Sequence, residues 1–206
     1  MTARRALTLL SITLTIAGCT TINPVPTIPF KGNKEWIVAE DQTWRIGTTS
    51  TLIVVPAGFV TDYASIPQAL WSFGLSPHGK YSQAAIVHDY LYWTQECTRE
   101  QADNLMAIAM MEEGVNWRTI GAIYFGLRLG GGAAWKANAA EKAAGLPRMV
   151  PSELRKLSAA DTWSALRERI RATQGPAAHA PPPSSTPDYC QHGNSLEVPN
   201  SPIVLP

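Results

Sequence analysis

A chain of 206 residues with 17 Lys+Arg against 16 Asp+Glu carries a formal net charge of +1, and its length fits one folded domain with terminal extensions. The charges contain no basic run, which removes the electrostatic case for binding nucleic acid. There are no internal repeats.

Residues 1–18 read as a targeting segment. Arg4 and Arg5 precede an apolar run, Ala6 to Ala17, that is too short to span a bilayer comfortably. The run ends Ile16-Ala17-Gly18-Cys19 and resembles the bacterial lipoprotein signal, which implies cleavage before Cys19 and lipidation of its thiol. Thr20, not Asp, follows the Cys, which implies delivery to the outer membrane, facing the periplasm. Acyl chains then hold the protein by burying methylenes, with no transmembrane helix required. Losing Arg4 and Arg5 takes the basic count from 17 to 15 against 16 acidic residues, a near-neutral body. An oxidising periplasm would permit a Cys97–Cys190 bridge, but sequence does not decide whether a single pair forms.

Residues 19–33, with Pro24, Pro26 and Pro29, read as the lipidated Cys and an extended tether. The globular unit is expected over 34–173. Its first strands are Trp36-Ile37-Val38 and Thr43-Trp44-Arg45-Ile46, separated by a turn at Glu40-Asp41-Gln42. A β-branched strand, Thr51 to Val55, ends at Pro56 and Gly58. Phe59 to Pro67 then runs as a loop with polar residues among apolar ones. Tyr81 to about Thr94 reads as a helix with Ala84, Val87 and Leu91 on one face. Thr98-Arg99-Glu100-Gln101 is a capping-box start to a helix that continues through Met111 and stops at Gly114.

Asn116 caps a long Ala-rich segment to about Ala144, interrupted at Gly130-Gly131-Gly132 by a hinge or a close-packing site. Those glycines lack the strand–helix setting and Lys of a phosphate loop. A last amphipathic helix is expected over Ser152–Thr173, with Leu154, Leu157, Trp163, Leu166 and Ile170 on one side. Residues 174–206 are Pro-rich, and Ala180 to Pro187 bury too little apolar surface to offset chain ordering. Trp71, Trp93, Trp117 and Trp135 are expected as core anchors. The fold class is α+β: a small β-rich N-terminal part followed by a mainly helical body.

The chemistry concentrates at His88-Asp89-Tyr90-Leu91-Tyr92 and at Asp103 in the next helix. His88 and Tyr92 are four residues apart and share a helix face, whereas Asp89 is turned about 100° away. A His can take a proton from water near neutral pH, and an Asp on the other face can reach a cation. If the second helix packs antiparallel on the first, Asp103 can fix the His88 tautomer and stabilise its imidazolium. Tyr92 would donate its phenol to Asp103 and hold it in place. A Ca²⁺ needs six to eight oxygens, so Asp89 would need help from Asp62, Ser65 or the Phe73–Gly79 loop, which includes His78. Ser65 has no Gly-x-Ser-x-Gly elbow, which argues against a serine hydrolase.

Two resemblances bear on these residues. Val55 to Pro67 (including Thr61, Asp62, Tyr63 and Ser65), His78-Gly-Lys-Tyr81, Ala84 to Tyr92, Arg99 and Ala102-Asp103 resemble the bacteriophage and prophage family catalogued as domain of unknown function 1353. That resemblance covers about residues 35–135 and implies a phage or prophage origin. The His-Asp-x-x-Tyr helix with a later Asp is similar to secreted and parvoviral phospholipases A2. It implies a helix pair of that kind, with His88 as general base, Asp89 as Ca²⁺ ligand, Asp103 orienting the His and Tyr92 supporting. The chain departs from that pattern by lacking a Tyr-x-Gly-x-Gly calcium loop and the flanking disulfide cysteines.

Two functional classes follow. One is a lipid-anchored, Ca²⁺-dependent phospholipid esterase of the envelope. The other is a non-enzymatic envelope protein that binds a cellular or phage partner in lysis or superinfection exclusion. In the latter, His88, Asp89 and Asp103 only tie helices together, and Asp62 shapes its turn by accepting backbone N–H bonds.

Overall fold

The computed structural model describes residues 22–63, 79–175 and 185–201. Cys19, Ser65, Trp71 and His78 lie outside the described residues. Strands β1 (Thr27–Pro29), β2 (Trp36–Val38) and β5 (Val60–Thr61) form an antiparallel sheet in the order β1-β2-β5. Strands β3 (Gln42–Arg45) and β4 (Leu52–Val55) form a separate antiparallel ribbon. Helices α1 (Ser82–Thr94), α2 (Arg99–Glu112), α3 (Trp117–Ala143) and α4 (Trp163–Gln174) follow, so the α+β expectation holds.

The sheet is covered on both faces, which is why β2 is apolar at every position. Successive side chains of a strand alternate sides, and here Trp36 and Val38 join the main core. Ile37 points the other way, into a smaller cluster with Phe30, Val60, Val150, Trp163, Leu166 and Ile170. Trp163, Leu166 and Ile170 recur at helical spacing, so α4 lays one apolar stripe on that outer face. The ribbon alternates instead: Ile53 and Val55 are buried, while Leu52 and Val54 face out.

Helix α2 is the centre of the body, with every residue from Ala102 to Glu112 buried. Its capping box forms in full: Thr98 Oγ1 accepts from the Gln101 N–H, and the Gln101 side chain accepts from the Thr98 N–H. At its far end the Glu112 carboxylate accepts from Trp44 Nε1–H and from the Gly47 N–H, anchoring the ribbon. Helix α3 is capped by Asn116 and runs unbroken through Gly130-Gly131-Gly132. There is no hinge. Gly131 is the close-packing position, since a Cβ there would sit 2.4 Å from Tyr92 Oη.

Four expectations are corrected. The tether does not extend to residue 33: Ile22, Val25 and Phe30 are buried and β1 pairs with β2, so the fold includes residues from Ile22 onward. The last helix is not continuous from Ser152. A 3₁₀ turn at Ser152–Leu154 is followed by a turn in which Asp161 accepts from the Ser158 N–H, and Thr162 caps α4. Trp117 is 57% exposed rather than a core anchor, because Ile120 and Ile123 take the inward positions at the start of α3. Trp93 and Trp135 do pack against the main core.

The fourth correction concerns the C-terminal segment. Residues 185–201 fold back, with a 3₁₀ turn at Asp188–Asn194 seated on α2. Cys190 is fully buried and disulfide-bonded to Cys97. Asn104 Nδ2–H donates to the Gly193 carbonyl, Tyr189 hydrogen-bonds Glu96, and Val198 is buried. The proline-rich composition masked these anchoring side chains. No helix among the described residues is long and apolar enough to cross a membrane.

Candidate functional site

The four-residue link Gln95–Thr98 turns the chain between α1 and α2, and Gln95 ends α1 in the left-handed conformation at φ 54°. Short links set helices as antiparallel neighbours. This brings His88 and Tyr92, one turn apart on α1, to the same carboxylate of α2. Asp103 is fully buried. Its Oδ1 faces His88 Nε2 at 3.2 Å and accepts from Tyr92 Oη–H at 2.6 Å. Its Oδ2 accepts from Arg99 Nη1–H at 3.0 Å and from Arg128 Nη1–H, contributed by α3, at 3.4 Å.

The electrostatics follow from these contacts. Burial works to raise the Asp103 carboxyl, but hydrogen bonds from His88 and Tyr92 and the Arg99 charge outweigh it and hold the carboxyl below its ordinary range. Burial, then the bond to Asp103, pushes the Tyr92 phenol upward, so it stays a donor. An ionised Asp103 only accepts, so the His88 proton belongs on Nε2. Nδ1 is left as a bare acceptor. It is buried and has no hydrogen-bond partner among the described residues.

Asp89, about 100° round the helix from His88, faces β5 instead. Thr61 Oγ1–H donates to its Oδ2 at 2.5 Å, and the Asp62 N–H donates to the same oxygen at 3.1 Å. Burial foremost, then the neighbouring Asp62 charge, raises the Asp89 carboxyl far above its ordinary value. Arg148 Nη2 lies 3.9 Å from Asp62 Oδ1 and relieves part of the repulsion. Tyr63, at φ 55°, shares a hydrogen bond with Thr27 Oγ1 and packs edge-on against Trp36.

The predicted residues therefore fall into two groups on faces of α1 about 100° apart. His88, Tyr92 and Asp103 are brought together, and Asp89 and Asp62 make a separate acidic pair. Arg128 and Arg148 are participants that sequence reasoning missed, while Arg99 and Thr61 entered there only through the family resemblance. Arg99 precedes Asp103 by four residues in a helix, a spacing that signals an ion pair. Arg128 and Arg148 arrive from distant segments and leave no local signal.

The acidic pair fits only part of a Ca²⁺ shell. Ca²⁺ takes six to eight oxygens. Asp89 Oδ2 faces two hydrogen-bond donors, and no group of three or more His, Cys, Asp or Glu able to hold a metal occurs among the described residues.

These features define an α+β domain in which a buried carboxylate joins a His, a Tyr and two Arg across three helices. Residues 36–127 match the family described as "Protein of unknown function (DUF1353)". The chain is similar to the "Uncharacterized protein y4jT" of Sinorhizobium fredii (strain NBRC 101917 / NGR234), with 34% identity over 86 residues. The match takes in 41% of this chain and spans a fifth (20%) of that relative's length. No solved structure matches the chain.

Proposed function

We propose that the protein is an envelope-associated hydrolase of phage or prophage origin, held to the outer membrane through Cys19, in which His88 acts as general base on a phospholipid ester. The observation that carries this reading is the buried His88 ring, with Nε2 held by Asp103 and Nδ1 unpartnered among the described residues. A buried acceptor without a partner costs about 1–3 kcal/mol. A water bound at Nδ1 removes that cost and is the natural nucleophile.

In the reaction, His88 Nδ1 takes a proton from this water as its oxygen bonds the ester carbonyl carbon. Asp103, kept ionised by the hydrogen bonds from His88 and Tyr92 and by the Arg99 charge, stabilises the imidazolium. The tetrahedral intermediate then breaks its bond to the alcohol oxygen, which receives the proton from Nδ1, leaving a fatty acid and a lysolipid. Tyr92 holds Asp103 in place throughout. Asp89 and Asp62 are the described residues that would hold a Ca²⁺, whose contribution when bound is to steady negative charge on the carbonyl oxygen.

The rival reading is a non-enzymatic envelope protein that binds a phage or cellular partner and uses the same network as a brace. Its support is burial: His88 is 2% exposed and Asp103 0%, so substrate entry requires their neighbours to move. Phospholipid hydrolysis by the chain from Thr20, which keeps every described residue, separates the two. The enzyme reading expects turnover that is lost in His88→Ala and reduced by at least about a hundredfold in Asp103→Asn. A chelator arm reports on Ca²⁺. Folded wild-type protein with no turnover on any lipid class favours the brace.

A further inference from the structure

Among the described residues, the outer face of α3 carries three of the five exposed large hydrophobic side chains. Phe125 is 64% exposed and Leu129 73%, and Trp117, about two and three turns before them, is exposed as well. Beside these side chains the face carries small residues, Gly121, Ala122 and Ala133, all exposed. Arg118 and Lys136, both exposed, lie 18 residues apart, so they project in one direction about 27 Å from each other. An uncharged stripe is thus bracketed by a cation at each end. From Trp117 to Ala140 the helix has no acidic residue. Arg128, on the flank, is engaged by Asp103 and Glu100.

This charge pattern selects the occupant. A second copy paired two-fold and antiparallel about Leu127 would set Arg118 against Lys136, and a parallel pair would set each cation against itself. Like charges meet either way, and the stripe holds no acid to relieve them. An anionic lipid surface satisfies both ends. The Arg and Lys stems lie along apolar surface while their heads reach phosphates. The Arg118 guanidinium already lies 5.2 Å from the centre of the Trp117 ring, and Trp favours the headgroup level.

We infer that α3 docks flat on an anionic lipid surface through Trp117, Phe125 and Leu129, with Arg118 and Lys136 contacting headgroups. This deepens the envelope reading but is scored by binding, so a failure of hydrolysis leaves it standing and a failure of binding leaves catalysis standing. Such a contact would hold the domain against the leaflet in one orientation, which a flexible lipid anchor cannot do.

The test is co-sedimentation of the unlipidated chain from Thr20 with vesicles of phosphatidylcholine alone or mixed with phosphatidylglycerol. Binding is expected to the mixed vesicles, weakening as salt rises. Arg118→Gln with Lys136→Gln is expected to weaken it roughly tenfold or more, from the worth of a basic residue near an anionic surface. Phe125→Ser with Leu129→Ser is expected to abolish it. The control Leu52→Ser with Val54→Ser, which removes the exposed apolar pair of the ribbon, is expected to leave it unchanged. Circular dichroism and thermal melting confirm that each variant is folded. No binding by wild-type protein, or equal binding by the α3 variants, overturns the inference. So does a dimer in sedimentation equilibrium that Phe125→Ser and Leu129→Ser dissociate, which assigns the face to a second copy.

Discussion

Gly131→Ala is expected to destabilise the fold, although alanine is the better helix former. In an open helix the change gains about 0.8–1 kcal/mol. At Gly131 the new methyl would stand 2.4 Å from Tyr92 Oη, so the tyrosine must move. It cannot move freely: Tyr92 is buried, donates to Asp103, stacks edge-on against Trp135 and packs beside the His88 ring. Losing a hydrogen bond to a charged group costs about 1.5–3 kcal/mol. Overpacking adds about 1–3 kcal/mol. The net expectation is a loss of about 2–4 kcal/mol, or a melting temperature lower by roughly 5–15 °C for a domain of this size.

The same helix supplies the controls. A Cβ at Gly126 or Gly130 meets nothing within 4 Å, so alanine at either is expected to stabilise by up to about 1 kcal/mol. Urea unfolding of the three variants, read by circular dichroism, measures the contrast directly. If Gly131→Ala is as stable as Gly126→Ala, Tyr92 yields without cost and the tight network around Asp103 is refuted.

Other outcomes follow from the same contacts. Reduction of Cys97–Cys190, or Cys97→Ala with Cys190→Ala, frees a loop with a sequence separation of 93. Chain entropy puts the loss at up to about 4.6 kcal/mol, and an unchanged urea midpoint with and without reductant would contradict it. Burial holds Glu112 at about 7 and Glu113, with the added Glu112 charge, also at about 7, against 4.5 for both when unperturbed. The folded state therefore binds more protons than the unfolded chain between pH 4.5 and 7, so stability falls as pH rises through that window. Asp103 acts in the opposite sense: its lowered value gives stability above pH 3.8 that is lost on further acidification. Urea midpoints across pH should peak on the acid side of neutrality, and a midpoint that rises from pH 5 to pH 8 would sink this assignment.

The elements most legible in the sequence were those written in local chemistry. Thr98 and Gln101 announce a capping box because both partners lie within one turn, and the Asn116 cap is equally local. The His88–Tyr92 spacing placed two side chains on one face, and a four-residue link was enough to deliver Asp103 to them. Arg128 joins the same carboxylate from α3, a contact that depends on how helices cross and not on spacing. The C-terminal segment misled for a related reason. Its prolines describe the lead-in, whereas its order comes from Cys190 and Tyr189 meeting the α1–α2 link and from Gly193 and Asn194 meeting α2, none of which composition reveals. Trp117 shows the reverse error: a large apolar side chain need not be buried when its helix turns that face outward.

The two unequal cores on either side of β2 have a consequence for how the molecule breathes. Helix α4 is held chiefly by the smaller cluster, so it can detach while α1, α2 and α3 keep their packing. Amide hydrogen exchange should then fall into two tiers, with α4 opening at lower free energy than α2. Val60 sits in the small cluster and its neighbour Thr61 donates to Asp89, so each such opening loosens one wall of the acidic pair. A helix far along the chain from His88 and Asp89 thus sets how often that side of α1 is exposed to solvent.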